Sequence, residues 1–175
     1  MDPIGVTDQV PSVDAFRRPP ASQRADAGDR TIPAPTYRVH GLSRPGGHAK
    51  IRCNTTEIKA DTGSISDGFR PGPAELLCAA LAACLLKNIE RYSELLPFQY
   101  AAAAVEVEAV RQDAPPRMTR MRYLIEIVTD EPEHRVDLLH ANILKYGTIT
   151  NTLAASCELT GEMIARRSGE RGHRS

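Results

Sequence analysis

The chain has 175 residues, 41% of them hydrophobic, which is enough for one ordinary domain and too few for two. Lysine plus arginine number 22, and so do aspartate plus glutamate, so the formal charge is zero and no global field favours nucleic acid or an anionic membrane. Tryptophan is absent and aromatics are only 5%, which argues against a base-stacking surface. The longest apolar run, Leu76 to Leu86, spans 11 residues, against the roughly 20 that a membrane-spanning helix needs. The first residues carry acids and prolines where a secretory signal has a basic segment and an apolar core, which predicts a chain that is not secreted. Cys53, Cys78, Cys84 and Cys157 form no CxxC pair and are too few for a disulfide scaffold. They read as thiols of a reducing cytoplasm.

Residues 1–35 differ from the rest and read as an N-terminal extension. Pro3, Pro11, Pro19, Pro20, Pro33 and Pro35 interrupt a polar stretch with no sustained period, and such a segment buries too little apolar surface to offset its ordering entropy. If ordered, a partner subunit is the simplest support. The domain itself is expected over residues 36–165, followed by a basic tail, 166–175.

Thr36 to Leu42 reads as a strand and Arg44-Pro45-Gly46-Gly47 as a turn. A second strand is predicted from His48 to Cys53 and a weaker third from Thr55 to Ala60. Asp61 to Gly72 collects glycine, serine, aspartate and proline into a loop. Pro73 then suits the first turn of a helix, where its fixed φ and missing N–H cost little. One long helix is expected from Pro73 to about Leu95, with a possible break part-way. Its first half, ELLCAALAACLL, is apolar on every face and must be surrounded by protein. Its second half is amphipathic, with Ile89, Tyr92 and Leu96 at helical spacing.

Pro97 ends that helix. Phe98 to Arg111 alternates best at Val105-Glu106-Val107-Glu108, the pattern of a half-buried strand. Ala114-Pro115-Pro116-Arg117 turns the chain, and Met118 to Val128 returns with Met121, Tyr123, Ile125 and Ile127 on one face. Thr129 or Asp130 is positioned to cap the next helix, with Pro132 just inside it. Val136, Leu139, Ile143 and Leu144 make its apolar stripe and Gly147 its stop. A short segment, Thr148 to Ala155, leads to a last strand, Cys157 to Ile164. The order implies an α+β fold with helices against an antiparallel sheet.

Cys84 is the leading candidate for chemistry. Two readings attach to it: a small buried hydrophobe, the usual state of an unpaired cysteine, or a nucleophile, which needs the thiolate and hence a nearby cation, helix terminus or hydrogen bond. His134 and His140, six residues apart, fall on different helix faces, and no metal or cofactor motif is present.

The stretch Gly72 to Leu86 (GPAELLCAALAACLL) resembles the central-helix motif of the OsmC/Ohr family, the osmotically inducible protein C and organic hydroperoxide resistance proteins. Cys84, eleven positions beyond Pro73, falls on the family's cysteine. Lys145 to Leu153 resembles its second motif, and the element order agrees from about Tyr37 to Ile164. The resemblance implies an OsmC-like fold: antiparallel sheets, a long buried central helix and a second amphipathic helix, in an intertwined homodimer with sites at the interface. It also implies a thiol peroxidase reducing organic hydroperoxides through Cys84, with no cofactor.

Three departures accompany it. Gly147 stands where family enzymes carry the second, resolving cysteine, so turnover here would need an external thiol. Cys78 cannot substitute for it: a six-residue helical step turns about 600° and rises about 9 Å, so Cys78 and Cys84 point apart. Ala74 stands where the family has its acidic residue, with Glu75 one position further. Arg70, before the helix, and Arg44, in the first turn, are the arginines available to stabilise a thiolate, and neither falls securely on a family position. The alternative function is a catalytically inactive OsmC-like dimer that binds a small hydrophobic ligand at its interface, with Cys84 as packing.

Overall fold

The computed structural model describes residues 34–66 and 68–169. The expectations for most of the N-terminal extension and for the end of the basic tail lie outside them. Met1–Tyr37 and Arg38–Ser175 are separate units, and every element below belongs to the second.

Three short strands come first: β1 (Val39–Arg44), β2 (His48–Cys53) and β3 (Thr56–Asp61). They form an antiparallel meander in the order β1-β2-β3. Pairing places Gly41, Ile51 and Ile58 on one face and Leu42, Lys50 and Lys59 on the other. β1 starts three residues later than its sequence pattern suggested. Val39 is the partner of Cys53, the last residue of β2, so earlier residues have no strand to pair with. Along this sheet only Ala49, Ala60 and Asp61 are buried, and Ile51 and Ile58 remain half-buried.

The loop after β3 is held close to it, since Asp61 N–H donates to Pro71 O at 3.0 Å and Gly63 N–H to the Asp61 carboxylate at 2.8 Å. The chain then enters α1 (Pro73–Leu95), 23 residues or about 34 Å long. The helix runs without a break, because no glycine or proline lies between Ala74 and Leu95. Pro73 occupies its first position, and Glu75 Oε2 accepts the Gly72 N–H at 3.1 Å, satisfying one of the end's orphan donors. At the far end Arg135 reaches across from the next helix to donate to Leu96 O and Pro97 O, both at 2.8 Å. A cation at a helix C-terminus is favourable to the backbone dipole as well as to the orphan carbonyls.

The larger sheet combines β4 (Ala102–Asp113), β5 (Pro116–Val128) and β6 (Glu158–Arg166). The first two form a long hairpin, and β6 lies parallel to β5. Among the described residues, three of the four strand pairings are therefore antiparallel, as the sequence implied, and the fourth is not. The exception follows from connectivity: α2 (Glu133–Lys145) and α3 (Thr148–Ala154) intervene and carry the chain from the end of β5 back to its opposite end, where Glu158 pairs with Arg120. The segment 148–154 is a helix that the sequence pattern did not reveal. Thr129, expected to cap α2, does something else. Its hydroxyl donates to Gln99 O at 2.5 Å and accepts the Glu131 N–H at 3.1 Å, while Pro132 takes the cap position with no side-chain bond.

The core lies between this sheet and the helices. Leu81, Leu85, Ile89 and Tyr92 from α1, Met121, Tyr123, Ile125 and Ile127 from β5, and Val136, Leu139 and Ile143 from α2 form one buried cluster. Tyr92 stacks on Tyr146, with ring centroids 5.5 Å apart, which fixes the end of α2 against α1. Enclosure of α1 is one-sided in the single chain: Ala79, Ala83 and Leu86 on its other face are exposed. No helix among the described residues is long and apolar enough to cross a membrane.

Candidate functional site

Cys84 lies half-buried midway along α1, in the turn that also places Leu81 and Leu85 in the core. One turn further on, Asn88 interrupts the apolar stripe and is only 8% exposed. Its Nδ2 donates to the Cys84 carbonyl at 3.0 Å and to Cys84 Sγ at 3.6 Å. Sequence reasoning missed this residue. The signal available was a polar side chain four positions after the cysteine, on the face that Leu81, Leu85 and Ile89 mark as the interior.

Glu75 precedes Cys84 by nine residues, about two and a half helical turns and about 13.5 Å of rise, so within one chain the two occupy opposite faces of α1. Its carboxylate is engaged with the Gly72 N–H, and its charge acts on Cys78, three residues on. Burial first, and then that negative charge, push the Cys78 thiol up, against a smaller lowering by a backbone hydrogen bond. Cys78 is thereby disfavoured as a thiolate. Arg70, half-buried just before α1, directs Nη1 at His48 Nδ1, a short hydrogen bond that ties the loop to the start of β2. Arg44 ends β1 opposite His48 and is exposed. The bonds described thus anchor the three expected site residues separately: Arg70 with His48, Glu75 with Gly72, and Cys84 with Asn88.

Gly147 begins α3, and its surroundings leave no room for a side chain. A Cβ built there would stand 2.5 Å from Thr150 Oγ1 and 3.0 Å from the Ile143 carbonyl oxygen. The same Thr150 hydroxyl is buried with no hydrogen-bond partner among the described residues. The position of the missing cysteine is therefore closed by packing as well as lacking a thiol. Cys157, the nearest later cysteine in sequence, turns its Sγ to the Leu153 carbonyl at 3.4 Å.

A sequence profile of the OsmC-like protein family matches residues 65–162, more than half of the chain. The chain belongs to the OsmC family. The matched segment contains Cys84, Asn88, Gly147 and all of α1, the larger sheet's hairpin and both later helices. Solved OsmC-family structures share the architecture at low identity. The OsmC-like protein of Mycoplasma pneumoniae superposes with a TM-score of 0.68 at 16% identity, covering 77% of this chain and 98% of that one. An organic hydroperoxide resistance protein OsmC from Legionella pneumophila gives 0.61 at 14% identity, covering 75% and 98%. The organic hydroperoxide resistance protein OhrB of Bacillus subtilis gives 0.57 at 12% identity, covering 74% and 98%. No curated protein matches the chain. These likenesses establish the OsmC fold for this chain.

Proposed function

We propose that this OsmC-family chain is a thiol-dependent peroxidase that reduces organic hydroperoxides through Cys84, with an external thiol as reductant. The observation that carries the reading is the position of Cys84: half-buried on the central helix, within the family match, beside a buried amide donor. The Cys84 thiolate attacks the terminal oxygen of the hydroperoxide. An S–O bond forms, the O–O bond breaks, and the alkoxide leaves and takes a proton to become the alcohol. Sulfur is oxidised by two electrons to the sulfenic acid as the peroxide is reduced by two. One external thiol then condenses with the sulfenic acid, releasing water and leaving a mixed disulfide, and a second thiol exchanges to regenerate Cys84. Gly147 removes the intramolecular alternative at that position. The apolar run of α1 that carries Cys84 favours an alkyl substrate over small, polar hydrogen peroxide.

The reading includes a homodimer in a reducing cytoplasm. Ala79, Ala83 and Leu86 form an apolar face of α1 left exposed by its own chain, which a second copy would cover. Purified protein with a dithiol is expected to consume cumene hydroperoxide, and Cys84→Ser to abolish this. Equal consumption by the variant overturns the peroxidase reading. The absent second thiol favours one further reading, an inactive dimer that binds a small hydrophobic ligand at the interface. Saturable binding of an apolar fluorescent probe by a chain with no peroxidase activity would select it.

A further inference from the structure

We infer that Asn88 is a positioning residue for Cys84, donating a side-chain N–H to Sγ so that the sulfur is held in one rotamer and its ionised form is stabilised. The inference deepens the peroxidase reading and rests on Cys84 reacting as a thiolate. Asparagine is a poor helix former, because its short amide competes for backbone bonds in other conformations. Desolvating that amide adds a further cost. Yet Asn88 occupies the interior stripe of α1, where Leu81, Leu85 and Ile89 show what packing alone would select. A bond to the carbonyl one turn back does not account for it. Asn142 on α2 makes the same bond, Nδ2 to Leu138 O at 2.8 Å, from a half-buried position, where full burial is not needed. What separates Asn88 is the second target. Its amide has two hydrogens, and both the Cys84 carbonyl at 3.0 Å and Sγ at 3.6 Å lie within hydrogen-bond reach of Nδ2. A donor to sulfur favours the charged over the neutral form, and in a half-buried site it is screened less than one in water would be. The contact is made within one helix, so it is present in each chain whatever its oligomeric state.

The test is alkylation of Cys84 by iodoacetamide followed by peptide mass spectrometry, which needs no hydroperoxide. Asn88→Ala should slow Cys84 alkylation at neutral pH by about threefold to tenfold, the range expected for one ordinary hydrogen bond, since the contact to sulfur is long. The rate at the high-pH plateau should be unchanged, and so should labelling of Cys157. Asn88→Asp, of the same shape but presenting only acceptors when ionised, should slow it further. A purely structural role would move Cys157 labelling and the melting temperature and leave the shape of the Cys84 profile intact, which would overturn the inference. Should either variant fail to fold, the wild-type chain supplies the answer. One Asn88 side-chain amide proton should shift in NMR spectra as Cys84 ionises and stay still in Cys84→Ser; a static resonance in both overturns the proposal. If instead Cys84→Ser retains peroxidase activity while the alkylation results hold, the peroxidase reading falls and the Asn88–Cys84 coupling stands.

Discussion

The two sheets are similar in strand number and opposite in what holds them. The larger sheet carries three helices, and its middle strand turns Met121, Tyr123, Ile125 and Ile127 into a core they share with α1 and α2. The smaller sheet packs extensively on no helix of its own chain, and its apolar face is built from residues too small or too exposed to make a core. The lesson is that a β-meander of three six-residue strands is not stabilised by its own pairing. It needs a surface to lie on, and Ile51 and Ile58 await one.

That contrast is testable by substitution. Ile125→Ala, at a fully buried position, should cost about 2–5 kcal/mol in chemical denaturation. Ile58→Ala in the smaller sheet should cost less than half as much in dilute protein. A cost for Ile58→Ala that grows with protein concentration would mean that a second copy covers this face. Gly147→Ala places a methyl group against Thr150 Oγ1 and should destabilise the helical side of the larger sheet by about 1–3 kcal/mol. Thr150→Val removes a buried hydroxyl that has no partner among the described residues and is expected to raise stability by up to about 1 kcal/mol.

A smaller effect should be visible through pH. Tyr123 and His140 are hydrogen-bonded at 2.9 Å between β5 and α2. Burial pushes the His140 imidazole down, against a lesser upward pull from Asp137, so the unfolded chain binds this proton more readily than the folded one. Stability from this group is complete above about pH 6.5 and is lost as pH falls through the lowered folded-state value. Burial pushes the Tyr123 phenol up to about 12, so its contribution is lost only in strong alkali. Thermal melts at about pH 7.5 and about pH 5 should show a smaller acid loss in His140→Gln than in the wild-type chain.

Much of this architecture was legible in the sequence, because its signals were strong and local. Alternation along residues 105–108 and 121–127 marks the hairpin, and the unbroken apolar run from Leu76 marks the central helix. What escaped lacks such a signal. The helix over residues 148–154 is written in threonine, isoleucine and asparagine, weak helix formers, and exists because Leu153 reaches the core and Cys157 N–H bonds back to the Leu153 carbonyl. The parallel pairing of β6 depends on where two helices deposit the chain, which no strand pattern encodes. The placement of Cys84 on the central helix was legible through its motif; the bond from Asn88 was not, since a side chain's bond to a sulfur one turn away is a matter of rotamer.

The parallel placement of β6 has a consequence for how the molecule is made. The β4–β5 hairpin pairs residues adjacent in sequence and is able to close as soon as residue 128 has left the ribosome. β6, whose first pairing is Arg120 with Glu158, arrives only after both later helices have been synthesised. Until then the edge of β5 that β6 will cover stands open. The nascent chain is therefore most vulnerable to edge-to-edge aggregation while residues 129–158 are being translated.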